Sequence, residues 1–526
     1  MVCWPRRWWL VLTVSLVLVL AVIQWAICAL TFASAPAAEY SQLWGRHGEL
    51  WQAGSRLPDF SFAGYHRGDD PIPDIEVVTD VTDFGADGGD NDDDTEAFRN
   101  AIRATRRGAI LIPTGRYVIS DLVAINKPGI VLRGAGPEKT ILYFPRDLED
   151  VRPNMGTTTS GRPTSNYSWS GGFLQIDGRD NGKELANIVE PADRGRRRIK
   201  VDRPENFRRG MSVRVELRDD ASQSLIKYLY AGETGATDKL RALRRRTDFV
   251  ARVAKIDKES VVIDRPLPFA IQLAWQPTVY AFVPNVSEVG IEQLGFEFPH
   301  RPYAGHFTER GANAIALVDV CDCWVRDIRI HNCDSGIFVT GRFCSLDGIA
   351  VTSDRQRDQQ RNSTGHHGIQ VTGDDNLVRD FDFQTRFIHD LTVAHCHGNV
   401  FCDGRGEDLS LDHHKYAPYA NLFTNLDAGA GTQLWVCGGG AALGKNCAAW
   451  GTFWRITAAR PLAWPPERFA PELINIVGLT TEQSSVRRPQ GRWFEAIAPD
   501  ELEPKNLWQA QRAIRLHGLD GRSATK

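Results

Sequence analysis

The stretch IALVDVCDCWVRDIRIHNCDSGIFV, residues 315–339, opens and closes on the same apolar pair: Ile315 and Leu317 return as Ile337 and Val339, 22 residues on. The pair returns at Ile369 and Val371 after 32 residues, and at Leu391 and Val393 after a further 22. A second pair, Ile328 and Ile330, returns as Ile349 and Val351 after 21, then as Phe381 and Phe383 after 32. Both series therefore jump by about ten extra residues at one place, the polar segment DRQRDQQRNSTG at 354–365. Two short alternating strands per unit, at a period of 21–22 with one loop inserted, is the pattern of a parallel β-helix. No coil of this kind buries its apolar pair alone. It stacks on its neighbours at roughly 4.8 Å spacing, and the outward residues form columns on the surface. Any chemistry must sit on those outward columns.

Working outward from this repeat, which spans 289–427, further coils are expected on both sides. Upstream, residues 109–112, 117–119, 130–132 and 141–144 read as short strands. Before them, Asp94 or Thr95 caps a predicted helix whose Ala97, Phe98, Ala101 and Ile102 share one face, suited to closing the open end of a solenoid. Residues of about 180–275 break the rhythm: MSVRVEL, FVARVAKID and SVVIDRPLPF alternate as strands around a charged segment, so a β-rich insertion is expected. Residues 39–76 form an irregular lead-in rich in Pro and Gly. The tail, 481–526, contains a predicted helix, NLWQAQRAIRL at 506–516, placed to cover the last edge. The predicted architecture is all-β: a β-helix over 77–480, with an N-terminal capping helix and one β-rich insertion.

The motif V-x-D-F-G-A-D-x-x-x-x-x-D-D-T-x-A-F at 81–98, followed by I-P-x-G-x-Y at 112–117, resembles the N-terminal part of the pectate-lyase-like superfamily. That group includes polygalacturonases, rhamnogalacturonases and phage tailspike proteins. The resemblance implies a right-handed parallel β-helix acting on polysaccharide, without selecting among hydrolases, lyases, epimerases and binders. The polygalacturonase pattern of N-T-D, D-D, G-H-G and R-I-K is not met. Gly365-His366-His367-Gly368 and Asp374-Asp375 stand in the wrong order, and Arg198-Ile199-Lys200 lies far upstream. Those catalytic roles are not transferred.

Composition sets bounds. A net charge of −3 points to no polyanion or nucleic-acid partner, and the basic clusters at 194–198 and 241–246 read first as solvated loop faces and second as contacts for an acidic sugar polymer. Arg6 and Arg7 precede an apolar run at 8–33 that ends in small residues, either a signal peptide or a membrane anchor within 1–38. The bulk of the chain is expected to be exported, touching membrane only through that segment. Eight of the ten cysteines fall in 321–447. In an exported chain Cys437 and Cys447 are candidates to close a loop, while Cys321, Cys323, Cys333 and Cys344 suit stacked core positions.

Seven of the 13 histidines lie between 366 and 414. Histidine titrates near neutral pH and suits proton transfer. With Leu409 and Leu411 inward, Asp412 and His414 share the outward face, and His366 has outward parity relative to Ile369. The candidate catalytic residues are His366, Asp403, Asp412, His414 and Lys415, with Arg405, Tyr416, Tyr419 and Trp435 as candidate sugar contacts. Asp327, Asp347, Asp380, Asp390 and Asp408 recur before strand pairs and read as turn residues. The clustered bases favour β-elimination from a uronate polymer over hydrolysis. Hydrolysis would instead draw two carboxylates from Asp403, Glu407 and Asp412. A non-catalytic binding solenoid would leave these side chains pointing apart. No cofactor is required. Calcium is compatible with the abundant oxygen ligands, but no loop has a metal-ligand spacing.

Overall fold

In-register stacking of the two apolar pairs builds two parallel sheets. In the seven-stranded sheet Ile315, Ile337, Ile369, Leu391 and Leu411 lie one above another, with Leu317, Val339, Val371, Val393 and His413 in the next column. In the fifteen-stranded sheet Leu294, Ile328, Ile349 and Phe381 align, as do Phe296, Ile330, Val351 and Phe383. All of these side chains are buried in one continuous core, where each aliphatic residue contributes about 1.5–3 kcal/mol. The computed structural model describes residues 38–158, 160–243 and 246–518. The apolar run at 8–33 lies outside the described residues, and among those described no helix is long and apolar enough to cross a membrane.

Six successive strands of the long sheet, from Trp324–His331 to Thr452–Thr457, each bend at one residue in the left-handed region: Asp327, Gly348, Asp380, Asp403, Asn425 and Arg455 have φ between 52° and 71°. Asp, Asn and Gly tolerate this conformation best. Asp327 and Asp380 thus act as bends inside strands, and Asp403 takes the same place in its coil. The expected turn residue Asp390 does bind backbone, accepting from the amides of Phe387 (3.0 Å) and Ser410 (2.9 Å).

At the N-terminal end the helix Thr95–Ala104 buries Ala97, Phe98, Ala101 and Ile102. Its capping oxygen belongs to Asp93, whose carboxylate accepts from the Thr95 amide at 3.1 Å, and not to Asp94 or Thr95. Asp94 instead accepts from the amides of Asp87 (2.9 Å) and Val118 (3.0 Å), so the acidic motif ties the helix to the first strands. The C-terminal helix Leu507–His517 does not cover the last edge. With Trp44, Leu57 and Phe60 of the lead-in it lies on the outer face of the long sheet, because that face is apolar there: Leu377, Val400, Leu422, Trp454 and Val477.

The insertion is a separate six-stranded antiparallel sheet between Glu184 and Ala281. Its core, including Val213, Val215, Phe249 and Trp275, is continuous with Tyr419 and Trp450 of the coils. Buried Arg265 clamps Asp375 with two bonds of 2.7 and 2.8 Å. Arg194, expected on a solvated face, instead lies 4.5 Å over the Trp450 ring and donates to Pro268 O at 3.0 Å. None of the eight cysteines between 321 and 447 forms a disulfide, so Cys437 and Cys447 do not close a loop. Seven of the eight are buried, as stacked small apolar groups are.

His413 continues an aliphatic column and packs against the rings of Phe423, Phe453 and Phe469 at 5.2, 5.5 and 5.2 Å. Burial pushes its imidazole down to about 4. A folded-state pKa below the unfolded value of about 6.5 means that the unfolded chain binds the extra proton, so this contribution is lost as pH falls from about 6.5 toward 4. His413→Leu is therefore expected to reduce the loss of unfolding free energy between pH 8 and pH 5 by about 2 kcal/mol, read from denaturant melts at the two pH values.

Candidate functional site

The seven-stranded sheet carries five histidine rings on its outer side. His367, from Gly365–Val371, and His389, from Phe387–Val393, are paired residues of neighbouring strands with ring centroids 5.1 Å apart. His366 lies 4.1 Å from His367 and 5.5 Å from His389. His414, just beyond Leu411–His413, stands 5.2 Å from His389. His306 arrives from the 298–312 segment and lies 4.6 Å from His366. Both His366 and His367 reach the cluster because alternation resets at Gly368. A Cβ there would meet the Phe383 ring at 2.8 Å and Asp390 O at 2.5 Å, so Gly368 and Ile369 both face inward.

Asp412 organises the cluster. It stands in the outward column of Gln370 and Thr392, yet it is fully buried beneath the 429–444 segment. One carboxylate oxygen accepts from the Gly438 amide at 2.8 Å. The other lies 2.7 Å from His414 Nδ1 and 3.1 Å from His389 Nδ1. The cover presses so closely that a Cβ on Gly438 would sit 2.5 Å from His414 Cε1 and 2.9 Å from His389 Cε1. Only glycine fits there.

The electrostatics separate one ring from the rest. Burial opposes protonation of His414, but the Asp412 carboxylate outweighs it and raises the imidazole above its usual value. Burial lowers the others: His366 and His367 fall far down, with the neighbouring rings adding repulsion, His306 drops to about 3, and His389 to about 4. Asp412 is held well below the usual carboxylate range: burial opposes this, and the neighbouring His389 and His414 imidazoles, with the Gly438 amide, overcome it. Protonation is thus favoured at His414 and opposed at the other four rings, and the His414 imidazole is 31% exposed.

One open hollow includes His306 in its lining, and a second shares Gln360 with it. One, of about 440 Å³, is lined by Arg162, Tyr303, His306, Arg357 and Gln360. The other, of about 380 Å³, is lined by Gln360, Arg361, Ile388, Gln433 and Val436. Gln360 borders both, so the inserted loop at 354–364 forms their shared wall. The exposed Arg361 is close enough to depress both His306 and His389. A larger hollow of about 550 Å³, lined by Trp51, Arg67, Asp264 and Arg515 among others, includes none of these histidines.

Of the residues singled out from sequence, the structure brings together His366, Asp412 and His414. Lys415 follows directly, its Nζ donating to Gly440 O at 3.1 Å, which holds the cover. Asp403 and Arg405 lie on the other sheet. There Asp403 accepts from Asn425 (2.5 Å) and from Asn506 (2.8 Å) at the start of the terminal helix, and Arg405 pairs with Asp382 at 2.7 Å. Glu407 is clamped by Arg357 at 2.8 and 2.6 Å, anchoring the inserted loop. Tyr416 packs on the core of the insertion, as does Tyr419, whose hydroxyl meets that of Thr247 at 2.8 Å. Trp435 packs edge-on against Phe453 and Phe469 and donates to Ala463 O at 2.8 Å. No sugar platform forms from these three aromatics. Sequence reading singles out His367 only as the neighbour of His366, and it passes over His306 and His389. The 22-residue shift that carries Ile369 to Leu391 also carries His367 to His389 and was the available signal. His306 has no periodic signature.

Residues 78–162 match the family model described as rhamnogalacturonase A/epimerase, pectate lyase-like. The chain is thus a parallel β-helix whose first coils carry a pectate-lyase-like sequence. A curated relative, alginate lyase 7 of Azotobacter vinelandii, is 30% identical over 113 residues, which is 20% of this chain and 13% of the relative's length. Among solved structures, the tailspike protein gp49 of Pseudomonas phage LKA1 overlays 76% of this chain and 72% of its own, at 14% identity and a TM-score of 0.41. The family 28 exopolygalacturonase of Yersinia enterocolitica overlays 79% of this chain and 67% of its own, at 12% identity and a TM-score of 0.32. Scores this low leave the fold to be read from the chain's own ladders.

Replacing Asp412 by Asn keeps the shape and removes the charge that favours the His414 cation. Asp412→Asn is expected to lower the His414 pKa to below the ordinary histidine value, since burial then acts unopposed. A titration of the imidazole carbon resonances followed by NMR checks this, with an unmoved His414 midpoint as the contrary result.

Proposed function

We propose that this protein is an exported enzyme that cleaves a uronate-containing polysaccharide by β-elimination. The observation that carries the reading is the Asp412–His414 pair: a buried carboxylate orients a partly exposed imidazole in a histidine cluster that the exposed Arg361 approaches at His306 and His389. The match of 78–162 to a pectate-lyase-like family model, and the partial relatedness to a protein named alginate lyase, support a carbohydrate substrate. The apolar run at 8–33 supports export, with the segment either removed or kept as an anchor.

The chemistry follows from the placement of charge. Arg361 neutralises the uronate carboxylate, which acidifies the adjacent C5–H. His414, neutral through Nε2 while Nδ1 faces Asp412, takes that proton. The electron pair forms the C4–C5 double bond, and the C4–O glycosidic bond breaks. The leaving oxygen takes a proton from water or from the imidazolium. The products are a new reducing end and an unsaturated uronate that absorbs in the ultraviolet. Asp412 stabilises the imidazolium formed in the step and fixes the ring. The carboxylates that a hydrolase would need are engaged otherwise: Asp403 with the terminal helix, Glu407 with Arg357, and Asp412 beneath its cover.

Purified protein is to be tested on pectic, alginate, glucuronan and neutral polymers, following ultraviolet absorbance and reducing ends together. Both signals are expected to rise on a uronate polymer, and His414→Ala is expected to lower kcat by about 10²–10⁴-fold. The logarithm of kcat/KM is expected to rise with pH and level off above the raised pKa of His414, because the base must be neutral. Reducing ends without absorbance would sink the elimination. Arg361→Ala is expected to raise KM on the acidic polymer, and an equal effect on a neutral one would remove its assigned role.

A further inference from the structure

The nitrogens of three rings converge on one point. One ring nitrogen from each of His306, His366 and His389 lies within 4.8 Å of the others. The Nε2 atoms of His306 and His366 are 3.1 Å apart. Two nitrogens placed ~2.05 Å from one tetrahedral ion are separated by ~3.3 Å, so these rings already stand at ligand spacing. The Nδ1 atoms of two of the rings lie near carboxylates without a hydrogen bond: His366 Nδ1 is 3.5 Å from Glu309, and His389 Nδ1 is 3.1 Å from Asp412. An imidazole that turns one nitrogen to a carboxylate and the other to a shared point is the usual arrangement around a ligated metal. Both nitrogens of His389 are buried and without a hydrogen-bond partner, in a residue only 2% exposed. Buried polar atoms without partners are rare and costly, and an ion at this point would satisfy one of the two.

We propose that His306, His366 and His389 form a binding site for one divalent transition-metal ion of the zinc class, with Glu309 and Asp412 orienting two of the rings. Three imidazoles favour zinc, cobalt, nickel or copper, whereas calcium and magnesium prefer oxygen donors. The calcium compatible with the sequence's oxygen groups therefore does not suit this point. Three protein ligands leave a fourth position, and His306 borders the 440 Å³ hollow, so that position opens toward the groove. Binding here does not depend on the elimination chemistry.

The test uses the full-length chain, stripped with a chelator and then equilibrated separately with Zn²⁺, Co²⁺ or Ca²⁺ before gel filtration and elemental analysis. One retained zinc or cobalt per chain is expected, with no retained calcium, and the cobalt form is expected to show the visible bands of a low-coordinate site. His306→Ala is expected to abolish retention while leaving the far-ultraviolet circular dichroism unchanged, because His306 lies in a partly exposed loop. Glu309→Gln is expected to weaken affinity by about 10–100-fold. Wild type that retains no ion, or His306→Ala that retains a full equivalent, would overturn the site. Should a variant at the buried His366 or His389 fail to fold, the wild-type stoichiometry and His306→Ala still decide the matter. Metal content is read without any activity assay, so a failed cleavage test leaves this result standing.

Discussion

Everything in this molecule depends on the vertical registration of one coil on the next. Ile315, Ile337, Ile369, Leu391 and Leu411 bury one another along the stack. A one-residue slip would turn each such side chain to the opposite face. The constraint on the interior therefore fixes the exterior as well. Gln370, Thr392 and Asp412 stand in line outside because their neighbours stand in line inside.

The same registration concentrates imidazoles. His367 and His389 are partners across one ladder, and the reset at Gly368 adds His366 to that face. A cluster of five rings under a covering segment cannot hold five charges. Asp412 supplies one negative charge, which favours protonation of the ring with access to solvent, His414. The other four remain neutral because burial opposes their cations. One imidazole suited to proton transfer and several neutral nitrogen donors result from the balance between that carboxylate and burial. The glycine at 438 matters for the same reason, since it lets the cover approach closely enough to bury that carboxylate.

Much of the fold was legible because burial writes a period into a solenoid. The apolar pairs, the inserted loop and the face of the capping helix all follow from which side chains avoid water. The site was only partly legible. Asp412 and His414 were recognisable as two residues on one outward face. Asp403 was indistinguishable in sequence from a reactive carboxylate, yet it occupies the bend column of Asp327 and Asp380 and holds the terminal helix. Tyr419 and Trp435 looked like sugar contacts because an aromatic ring suits a sugar face and a protein core equally well. Strict alternation also misplaces residues wherever two successive positions face inward, as at Gly368 and Ile369.

By itself the sequence determined the β-helix, its period, the place of its inserted loop and the region richest in proton-transferring groups. These are properties of spacing, and spacing survives without coordinates because each coil repeats the same burial problem. Tertiary structure alone decided that His306 joins His366 and His389 across 60 and 83 residues of chain, that the 429–444 segment roofs Asp412, and that Asp403 belongs to the other sheet. Those contacts arise where irregular loops fold back on the stack. No periodic burial governs such loops, so their side chains leave no pattern in the sequence.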